Sequence, residues 1–514
     1  MEEGFRKRGD IYELCTETQI FPIINGMNIF EKITALAKRR GFIYPGSEIY
    51  GGLAGTWDYG PLGVELKRNI KNEFWKSMVQ MRDDVVGIDA AIIMNPKVWE
   101  ASGHLASFSD PLVECKACHS RFRADNLGVS EGLFKVDSND MPKCPSCGKK
   151  DWTAPKQFNL MVETYLGVVE GEKTKTYLRG EITQGVHVNF KNVVSSTRVK
   201  IPFGIAQVGK AFRNEITPGE FTFRSREFEQ MELQFYTKPE EKESMQWFEY
   251  WKEERRKWYL SLGMREENLR FFEHPKDKLA HYARAAFDVE YNTNWMDSDA
   301  TVGADSEAKL GAGSEAKLGA GWKEMEGIHH RGDWDVKQHQ TFSKQDLTYF
   351  DEEKKERYLP WIVETSGGVD RATLFFLMDA YREEKISNLK SQISNKSETP
   401  NEENSETRIV LKLHPKLAPY KAAVFPLLAN KPELVELAKS IHGDLKKEFS
   451  VIWDERGNIG KRYRAQDEAG TPFCITVDFD SLENKDVTVR DRDTMEQVRI
   501  PIDALQDFLE SKLR

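Results

Sequence analysis

Apolar and polar residues alternate between Phe212 and Tyr236, with the period expected of a β-strand. Pro218-Gly219 supplies residues typical of a turn, so the pattern predicts a β-hairpin over 212–236. The second arm has an apolar face of Met231, Leu233 and Phe235, and a polar face of Phe228, Gln230, Glu232 and Gln234. The polar face is either the floor of a ligand site or the solvent-exposed side of an antiparallel sheet.

Other periodic segments surround this hairpin. Helical spacing begins near Met27, where Phe30, Ile33, Leu36 and Ala37 share one face, and a second amphipathic helix is predicted over 66–79. An apolar strand is predicted from Val85 to Met94. Beyond residue 407, strands near 410–413, 422–428, 451–455, 473–479 and 487–492 alternate with helices over 433–449 and 502–513. This order predicts an α/β domain.

Two stretches interrupt the globular pattern. Residues 306–321 repeat the octapeptide SEAKLGAG twice, which is too few copies for a solenoid and predicts a flexible insertion over about 297–321. Residues 387–407 contain almost no large apolar side chains and predict a linker. The expected organisation is an N-terminal extension (1–26), a large domain (27–386), the linker (387–407) and a C-terminal domain (408–514). Residues 1–26 have no clear period.

Composition narrows the class of protein. The 514 residues are 39% hydrophobic and 11% aromatic, enough for sizeable cores, and about three domains are expected at this length. A mean hydropathy of -0.60 and the lack of long apolar runs argue against a membrane span, so we expect a cytoplasmic protein. The net charge of -9 means that any nucleic-acid partner must bind local basic patches.

Four of the six cysteines form two C-x-x-C pairs, Cys115/Cys118 and Cys144/Cys147. Two such pairs can surround one Zn²⁺ with four thiolates, which leaves no open coordination position. The sequence therefore predicts a structural zinc module over about 113–150, with His119 as a spare residue.

Several basic residues fit phosphate or RNA binding. Arg213, Arg224 and Arg226 crowd the predicted hairpin turn, and Arg371 follows a glycine-rich segment, where guanidinium groups could bind phosphate. Residues 204–211 match a phosphate loop except at Ala211, which lacks the hydroxyl that would hold Mg²⁺, so we reject that motif. Residues 458–472 mix cations, a tyrosine and turn residues, as an RNA-binding surface or an ordinary charged face would.

Taken together, these segments resemble the bacterial-type, homodimeric class IIa glycyl-tRNA synthetases from Met27 to Arg514. FRNEITPG and FRSREFEQME resemble the family's motif 2, SGGVDR its motif 3, and the region from GPLGVELKRN to AAIIMNPKVWEASGH its motif 1. IGKRYRAQDEAGTPF and VTVRDRDTMEQVR resemble its anticodon-binding domain. The resemblance implies an α+β class II catalytic domain, an antiparallel sheet flanked by helices with a zinc-binding insertion, followed by an α/β anticodon-binding domain.

The resemblance also implies a bent ATP, Mg²⁺, glycine and glycine tRNA as ligands. Arg213 would bind the α-phosphate, Glu215 would face the adenine, Phe228 would stack on it, and Arg371 would bind the γ-phosphate. Arg213, Glu215 and Arg371 are the implied catalytic residues. The implied ATP site comprises Arg213, Asn214, Glu215, Phe223, Arg224, Ser225, Arg226, Glu227, Phe228, Glu324, Met325, Gly368, Val369, Asp370 and Arg371.

For glycine, the resemblance implies a small pocket whose carboxylates hold the α-ammonium group. The implied residues are Arg123, Glu181, Phe228, Glu229, Gln230, Met231, Glu232, Glu364, Thr365, Ser366, Gly367 and Gly368. The implied zinc ligands are Cys115, Cys118, Cys144 and Cys147.

The chain departs from the family pattern near this pocket. Residues 179–185 are RGEITQG where the usual block is RPETAQG, and Thr365 replaces the usual proline. The octapeptide repeat precedes Glu324 in a connection that is usually short. Two alternatives therefore remain: an RNA-binding regulator that has lost aminoacylation, and a ligase that activates another small acid.

Overall fold

The computed structural model describes residues 28–127, 141–169, 173–279, 283–293, 321–386 and 406–513. The predicted N-terminal extension, the octapeptide repeat up to residue 320 and most of the predicted linker lie outside these ranges. The helices are α1 (Ile29–Arg40), α2 (Pro61–Trp75), α3 (Pro96–Ala101), α4 (His104–Ser107), α5 (Thr183–Val188), α6 (Phe190–Ser196), α7 (Glu241–Ser261), α8 (Trp334–Ser343), α9 (Val369–Ala380), α10 (Pro432–Leu445), α11 (Ile459–Ala469), α12 (Phe479–Asn484) and α13 (Leu505–Leu513).

The strands of the first three hundred residues are β1 (Ile43–Pro45), β2 (Trp57–Tyr59), β3 (Val85–Gly87), β4 (Ser109–Glu114), β5 (Arg121–Arg123), β6 (Lys156–Asn159), β7 (Val162–Leu166), β8 (Thr174–Leu178), β9 (Phe203–Phe212), β10 (Glu227–Thr237), β11 (Leu269–Glu273) and β12 (Ala285–Asn292). The later strands are β13 (Trp322–Gly332), β14 (Tyr349–Asp351), β15 (Glu356–Tyr358), β16 (Trp361–Gly368), β17 (Tyr381–Ile386), β18 (Glu406–Leu411), β19 (Ala422–Pro426), β20 (Val451–Trp453), β21 (Phe473–Val477), β22 (Asp486–Asp491) and β23 (Gln497–Pro501).

The first predicted helix is present and begins two residues after Met27. Asn28 caps it: its side chain accepts a hydrogen bond from the Glu31 backbone N–H, and the Glu31 side chain bonds back to the Asn28 N–H. Gly41, at φ 74°, ends the helix in the left-handed conformation that glycine adopts without strain. The four apolar residues that predicted this helix are all buried.

A seven-stranded sheet forms the centre of the N-terminal part, in the order β11-β12-β13-β16-β10-β9-β3. Its neighbours are antiparallel except for β3, which pairs with β9 in parallel. Helices α7 and α9 pack on one face, where Met231, Leu233 and Phe235 are fully buried. The alternation therefore assigned the apolar face of β10 correctly.

This core also contains a buried ion pair. Arg255 on α7 donates to both carboxylate oxygens of Glu326 on β13, at 2.6 and 2.9 Å, and both side chains are fully buried. The Tyr259 hydroxyl donates to the same carboxylate at 2.6 Å. Because these three groups neutralise one another, the charges can be kept away from water.

Two sequence predictions for this region need correction. The first arm of the hairpin is β9, which ends at Phe212, rather than the residues after it. Residues 213–226 are a loop, in which Gly219 and Arg224 form one isolated bridge around a 3-10 turn over Phe221–Phe223. The second correction shortens the strand at Val85, because only Val85–Gly87 lies beside β9.

The C-terminal part is a five-stranded sheet in the order β20-β19-β21-β22-β23, with β20, β19 and β21 parallel. Leu434, Ala438 and Ile441 on α10 pack with Val424 and Ile475 in its core. The predicted α/β pattern is thus present. Strand β18 pairs with β17 on the far side of the predicted linker, and its Leu411 belongs to the core of the N-terminal part.

The two parts are joined by specific polar contacts. Arg408 on β18 forms ion pairs with Glu384 on β17 at 2.6 Å and with Asp467 on α11 at 3.1 Å. Glu468 on α11 accepts from Arg39 and Arg40 of α1, at 2.9 and 2.7 Å. We call these six residues the arginine joint. It fixes helix α11 against the first helix of the chain.

Candidate functional site

A cavity of about 460 Å³ lies on the face of the main sheet opposite α7 and α9. Strands β10, β16 and β13 form its floor, because Glu232, Ser366 and Gly327 lie side by side in the register. The loop 213–226 and the segment from Ser107 to Asp110 form its walls. The polar face of β10 is therefore a cavity floor at this end, rather than the solvent-exposed face of a sheet.

Glu232 is the central carboxylate of the floor and is 1% exposed. Its Oε1 accepts from the Ser366 hydroxyl at 2.6 Å and from Gln230 Nε2 at 2.9 Å, while its Oε2 is 2.6 Å from the Thr183 hydroxyl. These donors are neutral. Burial, followed by the charges of Glu364 and Glu181, raises the pKa of Glu232 to about 8.

Glu364 has a different environment. It accepts from Arg331 Nη1 at 2.9 Å and from Gln234 Nε2 at 2.8 Å, and His329 Nδ1 lies 3.0 Å from it. Although burial acts to raise the pKa of Glu364, the Arg331 charge and the His329 contact lower it well below normal. The pKa values of these two carboxyl groups on one face are thus shifted in opposite directions, because Glu364 is ion-paired with Arg331 whereas the hydrogen-bond donors to Glu232 are neutral.

Glu181 is the third acid of the floor. Burial acts to raise its pKa, but His104, whose Nε2 is 3.4 Å away, together with Arg331 and Gln184 lowers it to about 2. Arg331 also binds Asp335 through two nitrogens, at 2.7 and 2.9 Å, which fixes the plane of its guanidinium. This end of the cavity is therefore acidic, with one firmly held arginine.

The other end carries two arginines, each over a phenylalanine ring. The Arg371 guanidinium carbon lies 4.4 Å from the Phe223 ring centroid, and Arg371 Nη1 is 3.2 Å from Glu324. The Arg213 guanidinium carbon lies 5.3 Å from the Phe228 centroid and 5.1 Å from the Phe108 centroid. Because Phe228 and Glu232 are four residues apart on one strand, the two ends are separated by about 13 Å.

The wall beside the arginine end includes a second buried polar cluster. Lys67 on α2 contacts Asp370 at 2.7 Å and Glu229 at 2.9 Å, and Lys71 contacts Glu229 at 2.9 Å. The Glu229 backbone N–H donates to Asp370 at 2.6 Å. Helix α2 therefore fixes Asp370, in the first turn of α9, against strand β10.

Most predicted site residues line this one cavity. The lining members are Arg123, Glu181, Arg213, Glu215, Phe223, Arg224, Ser225, Phe228, Glu229, Gln230, Glu232, Glu324, Met325, Glu364, Ser366, Gly368, Asp370 and Arg371. The predicted residues that do not line it are Asn214, Arg226, Glu227, Met231, Thr365, Gly367 and Val369. Met231, Thr365 and Val369 are fully buried on the core side, and Glu227 is exposed and paired with Lys210.

Several residues that line the cavity were not predicted as site residues from the sequence, among them Phe108, Asp110, Thr183, His329 and Arg331. His329 and Gly327 share the parity of Glu364 and Ser366 across the β13–β16 pair, so alternation in β13 was a usable signal. Asp110 lies 2.7 Å from Arg123, and it precedes the zinc module in a segment with no distinctive motif.

The four predicted metal ligands converge. The Sγ atoms of Cys115, Cys118, Cys144 and Cys147 all lie within 4.8 Å of one another, with pairs at 3.6 Å. Tetrahedral zinc with bonds of about 2.3 Å requires sulfur separations of about 3.8 Å, so the donor set fits this ion. His119 instead lies 3.1 Å from Glu114. The Cys115 and Cys118 turn joins β4 to β5, the strands that carry Asp110 and Arg123.

The C-terminal segment 458–472 is less exposed than its composition suggested. Arg462 is 2% exposed and donates to four backbone carbonyls, those of Pro426, Glu455, Arg456 and Gly457. Asp467 is also buried, between Arg408 and Arg490. Lys461 and Arg464 remain exposed, so the RNA-binding hypothesis for this segment is limited to these side chains.

None of the helices within the described ranges is long and apolar enough to cross a membrane. A family model described as an anticodon binding domain matches residues 421–512. This match covers the five-stranded C-terminal sheet and its helices.

Curated relatives match nearly the whole chain. The protein named glycine–tRNA ligase of Geobacillus kaustophilus (strain HTA426) is 51% identical over 499 residues, covering 94% of this chain and 98% of the relative. Glycine–tRNA ligase of Caldanaerobacter subterraneus subsp. tengcongensis is 49% identical over 500 residues, covering 94% and 98%. Glycine–tRNA ligase of Bacillus anthracis is 48% identical over 504 residues, covering 95% and 100%.

Proposed function

We infer that this chain, which belongs to the glycine–tRNA ligase family, activates glycine with ATP and transfers the glycyl group to tRNA. The observation that carries the proposal is the single cavity with carboxylates at one end and two ring-stacked arginines at the other. A cationic ammonium and an anionic triphosphate fit opposite ends of such a cavity.

In the first step the glycine carboxylate attacks the α-phosphorus of ATP, and pyrophosphate leaves. Arg213, near Phe228, would bind the α-phosphate, and Arg371 would bind the γ-phosphate. Phe228 would stack on the adenine, with Glu215 at that end. No side-chain nucleophile is required, because the protein acts by orienting the reactants and stabilising the charge that develops. The 3′-terminal ribose of tRNA then displaces AMP from the glycyl group.

The acidic end would hold the glycine ammonium. Glu364 is ion-paired with Arg331, whereas Glu232 accepts hydrogen bonds from neutral donors, so Glu232 is the carboxylate that would bind the ammonium group. Bound ammonium would favour the ionised form of Glu232, because an opposite charge at hydrogen-bond distance lowers the pKa of a carboxyl group. Thr183 and Ser366 line the cavity beside Glu232 and would restrict the space beyond the glycine Cα, which would disfavour larger amino acids.

Two metals belong to the proposal. Mg²⁺ would accompany the ATP phosphates, and Glu324, which lies 3.2 Å from Arg371, would supply an oxygen ligand. When bound, it would offset phosphate charge. Zn²⁺ would be held by Cys115, Cys118, Cys144 and Cys147. It would fix the β4–β5 hairpin, so that Arg123 and Asp110 stay at the cavity wall.

The C-terminal domain would bind the anticodon. In open parallel sheets, ligands bind beyond the carboxyl ends of the strands, which here are the ends of β19, β20 and β21. The side chains exposed beyond these ends include Leu428, Phe479, Lys431, Arg456 and Lys461. An exposed ring and cations suit unstacked bases and phosphates. We further propose the class IIa fold, the predicted domain boundaries, a homodimer and a cytoplasmic location, in keeping with the resemblance.

The test is exchange of pyrophosphate into ATP in the presence of glycine, alanine or serine, followed by charging of glycine tRNA. We expect exchange with glycine and glycylation of the tRNA. Exchange with none of the three acids would favour the RNA-binding alternative, and exchange with another acid alone would favour the other ligase.

Glu232→Gln tests the ammonium assignment within this framework. We expect glycine-dependent exchange to fall by at least about a hundredfold, since the variant loses the carboxylate that would bind the ammonium group. Glu249→Gln is a control for the loss of a carboxylate, because Glu249 is exposed on α7 and does not line the cavity. Full exchange by the Glu232 variant would show that the ammonium binds elsewhere.

A further inference from the structure

The block at 179–185 departs from the family pattern, and Thr183 occupies the position of the usual alanine. Thr183 is the first residue of α5, is 1% exposed and lines the cavity. Its hydroxyl lies 2.6 Å from Glu232 Oε2 and 3.1 Å from Glu364 Oε1. One hydroxyl therefore touches both carboxylates of the acidic end.

A hydroxyl has one proton to donate and two lone pairs to accept with. It cannot donate to both carboxylates at once, so one of its two contacts must run in the opposite direction or remain weak. The 2.6 Å separation is that of a short O–H···O hydrogen bond, whereas 3.1 Å is slightly beyond the usual O–H···O range. The strong contact is the one to Glu232.

We propose that Thr183 is a positioning residue for glycine: its hydroxyl reverses direction between Glu232 and Glu364 and so stabilises Glu232 in the ionised form that binds the ammonium group. This inference rests on the proposed function and adds a residue to the same site. Without glycine, protonated Glu232 donates to Thr183, which donates to Glu364. With glycine bound, the Glu232 proton leaves to solvent, and Thr183 donates to Glu232.

The surroundings of Glu232 support this assignment. Gln230 and Ser366 donate to Oε1, so Thr183 is the hydroxyl that can donate to Oε2 once Glu232 is ionised. The charged groups around Glu232 are Glu364 on β16, Glu181 before α5, Arg179 after β8 and Arg331 on β13, which acts through Glu364. The Thr183 hydrogen bond is among the interactions that lower the pKa of Glu232, while burial and the two acids raise it.

The experiment measures glycine-dependent pyrophosphate exchange from pH 6 to pH 9 for the wild type, T183A, T183V and T183S. For T183A and T183V we expect the KM for glycine at pH 7 to rise about tenfold, with a smaller change in kcat, because one hydrogen bond to a charged group is lost. The pH of half-maximal kcat/KM for glycine should rise by about one unit. T183S should retain both values within about twofold.

T373A is the matched control, because the Thr373 hydroxyl is equally buried and donates at 2.7 Å to a backbone carbonyl, that of Val369. It should leave the pH midpoint unchanged. An unchanged midpoint in T183A and T183V, or an impairment of T183S equal to theirs, would overturn the proposal. Either result leaves wild-type exchange with glycine intact, whereas failure of the proposed function would abolish wild-type exchange itself.

Discussion

Glu232→Gln should make the folded protein more stable at neutral and alkaline pH while abolishing glycine activation. Burial and the neighbouring acids raise the pKa of Glu232 from 4.5 to about 8. Below pH 4.5 the carboxyl group is protonated in both the folded and the unfolded chain. Between pH 4.5 and about 8, only the folded chain keeps this proton, so raising the pH destabilises the wild type by about 1.4 kcal/mol per unit.

The magnitude follows from that window. At pH 7 the pH is about 2.5 units above the unfolded-state pKa of 4.5, which lowers the free energy of unfolding of the wild type by roughly 3 kcal/mol. Above pH 8 this loss levels off at about 5 kcal/mol. Glutamine has the same shape and stays neutral. Its amide oxygen can accept from Ser366 and Gln230, and its NH₂ can donate to Thr183, so the hydrogen bonds survive. Because glutamine does not titrate, the variant does not undergo this pH-dependent loss in the free energy of unfolding.

The assay is thermal unfolding of the wild type and the variant without glycine, from pH 5 to pH 9. We expect the melting temperature of E232Q to exceed that of the wild type by an amount that grows with pH and levels off near pH 8. E364Q is the control. The pKa of Glu364 is lowered, so its contribution to stability is fully present above pH 4.5, and E364Q should melt below the wild type by an amount that does not change between pH 5 and pH 9. A melting difference for E232Q that is independent of pH would refute the reasoning.

Three further predictions concern other parts of the molecule. Cys144→Ser should lose stoichiometric zinc and raise the KM for glycine, because Arg123 and Asp110 lie on the hairpin that the metal would hold. Metal analysis, Trp152 fluorescence and exchange kinetics measure these effects. Unchanged metal content in the variant would contradict the prediction. Arg255→Met should destabilise the N-terminal part by roughly 3–5 kcal/mol, since Glu326 would stay buried without its cation; denaturant unfolding measures the loss. Phe479→Ala should raise the KM for tRNA severalfold and leave glycine-dependent exchange unchanged. Phe350→Ala, which removes an exposed ring from the N-terminal part, should change neither quantity. A rise in the KM for tRNA in both variants would indicate a general effect of losing an exposed ring.

Local sequence patterns predicted the elements that carry their own signal. Asn28 and Glu31 fix the start of α1 by contacts within one turn, and alternation in β10 separates Glu232 from Met231. Several residues that share the cavity with Glu232 come from distant segments and were not selected from the sequence. Thr183 and Arg331 are such cases, because only the packing of α5 and β13 against the same floor brings them together.

The failures have physical causes as well. The first arm of the hairpin was misplaced because Pro218-Gly219 forms a local bridge within a loop rather than the turn of the long ladder. The basic block at 458–472 suggested an exposed surface, yet Arg462 is buried because four carbonyls satisfy its guanidinium. Sequence composition does not distinguish an arginine that binds RNA from one that closes loops. The assignments of ATP and glycine residues stay predictions.

The arginine joint sets a length as well as an orientation. Because Arg408 ties α11 to β17, and Arg39 and Arg40 tie it to α1, the carboxyl edge of the C-terminal sheet has a fixed separation from the cavity. A tRNA bound at both the carboxyl edge and the cavity would have to span this fixed distance. Adding a base pair between its anticodon and its acceptor end would displace the terminal ribose from the cavity by several ångströms. The protein could thus reject a tRNA on its dimensions, in addition to its bases.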